Sequence, residues 1–153
     1  MTQPVSRAVV EAFYEAFAVR DHARVAEFLA DDVEWTISGP VDVLTFCGTR
    51  RGKAAVLDLM AHGMSQVFDI VKFESNVSLV DGDRSSRLNR LWARHPDDGR
   101  MISYRVAHFS RFQDGKMVEH LSLLDSFDAV EQVLGHSLAT DERAPVDDDL
   151  VTV

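Results

Sequence analysis

At 153 residues the chain is the size of one domain, and 46% hydrophobic with 27% charged residues is ordinary globular composition. A net charge of −9 without clustered lysine and arginine argues against phosphate backbones and anionic membranes, so neither nucleic acid nor membrane is an expected partner. The lone cysteine, Cys47, precludes an internal disulfide, no apolar run approaches the roughly 18 residues of a membrane helix, and Met1-Thr2-Gln3-Pro4 lacks a signal peptide's basic start; a cytoplasmic location is expected.

Val5, Val9, Ala12, Phe13, Ala16 and Phe17 recur at three- and four-residue steps, which predicts an amphipathic helix over residues 4–19. Asp21 can cap a shorter second helix that turns Val25, Phe28 and Leu29 inward and ends at Ala30-Asp31-Asp32. Val33 to Ile37 reads as a short strand closed by Gly39-Pro40. A third helix starts near Gly52, runs to about Gln66 and buries Val56, Leu59, Met60 and Met64. From residue 69 the period becomes two. Asp81-Gly82, Asp98-Gly99 and Asp114-Gly115 divide this part into an antiparallel meander over about 69–80, 84–95, 100–112 and 116–125. A last short helix begins after Ser126 as its N-cap and stops at Gly135. The domain is expected to cover residues 1–137, and 138–153 form an acidic C-terminal tail with five acids against one base.

Turn chemistry sets the register. Pro96-Asp97-Asp98-Gly99 suits a four-residue loop that puts His95 opposite Arg100, Asn89 opposite Val106 and Leu91 opposite Tyr104. A three-residue loop with a glycine bulge at Gln113-Asp114-Gly115 would set Phe112 opposite Lys116, His108 opposite His120 and Val106 opposite Ser122. One sheet face then carries Asn89, Leu91, Tyr104, Val106, His108, His120, Ser122 and Leu124. The other carries Trp92, Arg105, Phe109, Leu121 and Leu123 among arginines and acids, which suits a partner subunit, so a homodimer through this outer face is expected.

This order of elements resembles the nuclear transport factor 2-like cone, and particular residues carry the likeness. Phe13-Tyr14-Glu15-Ala16-Phe17, Asp21 and Phe28-Leu29-Ala30-Asp31-Asp32-Val33-Glu34-Trp35 look like the opening of SnoaL-like and ketosteroid-isomerase-like members. Phe46-Cys47-Gly48 with Arg51-Gly52, Tyr104 to Phe109, Phe112 to Lys116, and Leu123 to Asp128 continue it, so the likeness covers about residues 5–135. The resemblance implies an α+β fold: a cone-shaped roll of a curved, antiparallel (mixed) sheet around three N-terminal helices, with a short C-terminal helix. It points to a subgroup without an assigned reaction. The ketosteroid isomerase base falls on Ile37, the oxyanion tyrosine on Phe13 with Tyr14 one place round the helix, and the protonated aspartate near His108. The arginine and two aspartates of the limonene-epoxide-hydrolase-like members fall on Asn89, Leu91 and Ser122, and their helper tyrosine and asparagine on Trp35 and Ile37. Neither familiar mechanism keeps its acids.

What chemistry remains rests on His108 and His120, because imidazole titrates near neutral pH. In an apolar cone one could act as base and the other as donor to an enolate, or the pair could be a hydrogen-bonded core element that positions strands. Asn89 and Ser122 could orient a ligand carbonyl or bond within the sheet. Trp35 and Tyr104 could stack on a flat ligand or pack the core, with Phe13 and Ile37 completing the lining. Tyr14 reads as a surface or interface residue. No metal, phosphate-cradling loop or cofactor is expected, and Cys47 has no activating base. Two readings follow: an acid–base isomerase, cyclase or hydrolase acting on a small apolar carbonyl or polycyclic compound, or a non-catalytic small-ligand-binding or structural module.

Overall fold

Helix α1 (Arg7–Ala18) starts where the Ser6 side chain accepts a hydrogen bond from the Val9 amide, 3.2 Å away, in a computed structural model that describes residues 3–138. Helix α2 (His22–Phe28) starts at Asp21, whose carboxylate accepts from the Arg24 amide at 3.0 Å, so the sequence-predicted cap is the observed one. The chain goes directly into β1 (Leu29–Ser38). This strand is twice the expected length, because Ala30-Asp31-Asp32, expected as the end of the second helix, already belongs to it. A second strand, β2 (Gly48–Arg51), had no counterpart in the sequence reading.

The third helix is regular only over α3 (Lys53–Asp58). It then loosens into a π-type turn, Leu59–Gly63, and tightens into a 3₁₀ turn, Met64–Gln66. The meander follows as β3 (Asp69–Asp81), β4 (Arg84–Arg94), β5 (Met101–Gln113) and β6 (Lys116–Leu124), and α4 (Ser126–Leu134) closes the fold. Asp125, not Ser126, occupies the N-cap of α4, and Gly135 stops the helix in the left-handed conformation at φ 77°. Arg100 donates from Nη1 to the Gln132 carbonyl at 2.8 Å, tying this helix end to the β4–β5 loop.

The six strands lie in the order β2-β1-β6-β5-β4-β3, with β1 parallel to β6 and every other pair antiparallel. This is the expected α+β cone with a mixed sheet. The β4–β5 register is the predicted one, with Asn89 opposite Val106 and Leu91 opposite Tyr104. The β5–β6 register is not. Gln113 pairs with Lys116 across a two-residue Asp114-Gly115 turn with both residues at positive φ, 51° and 75°. A register shift between Arg111 and Phe112 then sets His108 opposite Ser122, Ser110 opposite His120 and Val106 opposite Leu124. The displacement is two residues, so every side chain keeps its predicted face.

Asn89, Leu91, Tyr104, Val106, His108, His120 and Ser122 are all buried, whereas Leu88, Phe109, Leu121 and Leu123 are exposed on the opposite face. No described helix is long and apolar enough to cross a membrane. The acidic tail lies, apart from Leu138, outside the described residues.

Candidate functional site

Strands β5 and β6 bring the two buried histidines together. His108 Nδ1 lies 3.0 Å from His120 Nε2, and the far nitrogen of His120, Nδ1, lies 2.9 Å from Ser110 Oγ. Ser122 Oγ sits between the rings, 3.0 Å from His120 Nε2 and 3.3 Å from His108 Nδ1. Trp35, on the neighbouring β1, stacks on His120 with ring centres 3.6 Å apart and planes 17° from parallel. One of its faces is therefore already occupied. His108 Nε2 is buried without a partner, and the centres of the Phe17, Phe73 and Tyr14 rings lie 6.0–6.4 Å from the centre of the His108 ring.

Burial favours the neutral imidazole at both positions. It pulls the His108 pKa down to about 4, with the positive charge of Arg87 as the second cause. His120 is held well below its ordinary value by burial and then by His108. Two neutral rings joined by one hydrogen bond have two proton arrangements. If His108 Nδ1–H donates to His120, then His108 Nε2 carries a lone pair, and His120 Nδ1–H donates to Ser110. If His120 Nε2–H donates instead, His108 Nε2–H becomes a donor and the Ser110 hydroxyl donates to His120. The same atom can be an acceptor or a donor, and Ser110 sets the balance from the far end. Ser110 escaped the sequence reading, although its parity on β5 places it on the same face as His108.

A small cavity of about 30 Å³ lies against His108, with Trp35, Ile37, Leu91, Tyr104 and Ser122 also in its wall. It is the space of about one water, far below the several hundred Å³ that a bound drug-sized ligand fills. Met60 and Met64, in the irregular segment after α3, line both this cavity and a neighbouring void of about 40 Å³ that also meets Arg20 and His22. Flexible methionines are thus the wall that must shift for a larger molecule to enter.

Of the predicted lining, Trp35, Ile37, Tyr104 and Ser122 meet at the cavity. Phe13 does not line it: its ring packs behind Trp35 at 6.4 Å and against Tyr14 at 5.0 Å. Asn89 lines a separate niche with Tyr14 and Arg87. Tyr14 is not a surface residue. It is buried, its hydroxyl has no partner within hydrogen-bond geometry, and burial pushes its pKa up to about 12. Burial likewise raises the Cys47 thiol to about 11 against the opposing pull of Arg50, so it stays protonated at neutral pH. Among the described residues no three histidine, cysteine, aspartate or glutamate side chains gather as metal ligands.

The SnoaL-like domain pattern matches residues 10–120 of the chain. Among solved structures, a provisionally named isomerase of Rhodopseudomonas palustris is 31% identical, with 83% of this chain and 93% of that one covered at a TM-score of 0.72. A nuclear transport factor 2-like protein of Burkholderia pseudomallei is 26% identical, covering 77% and 88% of the two chains at 0.67. A protein of Catenulispora acidiphila with a ketosteroid isomerase-like fold, in complex with trimethylamine, is 11% identical, covers 86% and 95%, and at 0.68 shares the fold. No curated protein matches the chain. With the family pattern spanning most of the described residues, the chain belongs to the SnoaL-like domain family.

Proposed function

We propose that the protein is an acid–base enzyme that takes a small apolar carbonyl or polycyclic compound into the cavity beside His108. One observation carries this reading: a neutral histidine at an apolar cavity with a buried, unpartnered nitrogen, wired through its other nitrogen to His120 and Ser110. His108 Nε2 removes or delivers the proton, and the hydrogen bond to His120 fixes the ring and shares the charge that forms. A base of low pKa works here only if water is excluded and the developing enolate is stabilised. The apolar lining around a bound ligand supplies the first condition, and Ser122 with Tyr104 supplies polar groups for the second. The competing reading is a non-catalytic binder, for which the same histidines are structural.

A thermal-shift screen against steroids, aromatic polyketides, terpenoid ketones and hydroxy acids tests occupancy. A compound at about a hundred times its dissociation constant should add about 2.7 kcal/mol to stability, a visible rise in melting temperature. The expected result is a stabilising apolar carbonyl compound whose effect is lost on Val106→Trp, which fills the cavity. Stabilisation by none of the panel would remove the small-molecule reading.

The outer sheet face supports a second proposal, a homodimer. Phe109 is 46% exposed and Leu123 44%, with Leu121 paired to Phe109 across the ladder and Trp92 and Arg105 on the same face. A groove of about 540 Å³ over Leu79, Phe109 and Leu121 is edged by Arg84 and Arg111 and by Glu34, Asp81 and Glu119. Both signs of charge around an apolar floor allow one patch to meet its own copy across a two-fold axis. Light scattering should give twice the chain mass for the native protein and the single mass for Phe109→Glu. A native protein that stays monomeric at about 100 µM, a concentration at which an interface of even modest affinity holds, would exclude this interface.

A further inference from the structure

Arg87 is a half-buried cation that, among the described residues, no acid answers. It lies on β4 directly opposite His108 and is half-buried on the inner face. The chain holds 25 acidic residues against 16 lysines and arginines, yet Arg87 joins no ion pair among the described residues. Its one side-chain hydrogen bond is a long contact from Nη2 to Ser78 Oγ, 3.5 Å, and its Nε is buried without a partner. Its guanidinium carbon sits 4.2 Å from the centre of the Tyr14 ring. Stacking on that ring holds the plane and leaves N–H edges in the fork that matches a carboxylate.

Arg87 also borders a niche. The space is about 60 Å³, and Tyr14, Phe17, Phe73, Ser75, Arg87 and Asn89 line it with no acidic side chain among its walls. That volume fits a carboxylate or two waters. Phe17 and Phe73, with ring centres 5.3 Å apart, line both this niche and the His108 cavity. Turning these two rings would join the apolar space to the cationic one.

We propose that Arg87 and Asn89 form a carboxylate-binding subsite, so that the molecule taken by the cavity is an apolar ring system bearing a carboxylate. The claim rests on the cavity being a ligand site, as argued above. Arg87 grips both carboxylate oxygens, Asn89 donates a further hydrogen bond, and the ring system lies between Phe17, Phe73 and His108.

The test is isothermal titration with 2-naphthoate and with 2-naphthamide, which share the ring system and differ in charge. The native protein should bind the acid at least ~10-fold more tightly than the amide, as a charge-assisted, two-point contact requires. Arg87→Gln should bring the two within about 2-fold of each other while the amide affinity stays within about 3-fold. Arg87→Lys, which keeps the charge but loses the fork, should fall between, and it serves as the readout if Arg87→Gln does not fold. Binding of both compounds without preference, or a preference that survives Arg87→Gln and Arg87→Lys unchanged, overturns the subsite and leaves the cavity reading intact. Binding of neither compound overturns both.

Discussion

Acidification from pH 7.5 to 5 should strip about 2 kcal/mol of stability through His108 alone. Its folded pKa is about 4 against an ordinary 6.5, so the unfolded chain takes up the proton first as the pH falls. The stability tied to the neutral ring is complete above pH 6.5 and drains away between 6.5 and 4. His120, shifted in the same direction, adds to the loss. The carboxylates of Glu74, Asp98 and Glu119 are held below their ordinary values by Lys72, Arg100 and Arg111 respectively. Their contributions begin to fade only as the pH falls to their ordinary values of 4.5, 3.8 and 4.5 and go on fading to the lowered ones, below the pH 5 at which the comparison ends. Urea titrations at pH 7.5 and 5 on the native protein and on a His108→Gln/His120→Gln variant separate the two. The native protein should lose at least about 2 kcal/mol more than the variant. Equal losses would mean that the pair is not held neutral.

The largest single-site effect on stability should come from Phe13→Ala. Phe13 has no exposed surface and its ring meets Tyr14, Phe17, Phe28 and Trp35. Truncating a fully enclosed phenylalanine removes its transfer energy and leaves a hole that its neighbours cannot fill, at a cost of about 3–5 kcal/mol. A domain of this size should then melt roughly 6–20 °C lower, at about 2–4 °C per kcal/mol. Val19→Ala, at a position 74% exposed just past the same helix, should change stability by no more than about 0.5 kcal/mol. A Phe13→Ala loss below about 1.5 kcal/mol would show that the helix does not anchor the cone as described. This variant also bears on the site, because Phe13 supports Trp35, which in turn stacks on His120.

How much of this was legible beforehand follows from which signals are periodic. The inner and outer faces of β4, β5 and β6 were readable because side chains alternate strictly along a strand, and that alternation survived a two-residue register error. The error itself came from the Asp114-Gly115 turn and the register shift beyond it, which no run of side-chain types announces. Strand β2, Gly48-Thr49-Arg50-Arg51, has no apolar face, and only its pairing with β1 makes it a strand. Tyr14 looked peripheral because it lies beside the apolar stripe of α1. It is buried because the sheet curls far enough for Arg87 to cover it. His108 and His120 were singled out by type and parity, but their contact at 3.0 Å depends on the unforeseen register. The closure of the cavity by Met60 and Met64 was not legible either, because Leu59–Gly63 keeps a helical sequence pattern while its backbone loosens.

Hydrogen–deuterium exchange at the α-carbon of small cyclic ketones in D₂O, followed by mass spectrometry, tests the account most directly, because it reads proton abstraction without requiring a known product. The native protein should accelerate exchange of at least one apolar ketone by about 100-fold or more over buffer, the scale of positioned general-base catalysis, and His108→Ala should return it to the buffer rate while keeping a cooperative melt. No acceleration across the panel, or acceleration that survives His108→Ala, would contradict the assignment of His108 as the proton-handling group and leave the histidine pair as part of the core.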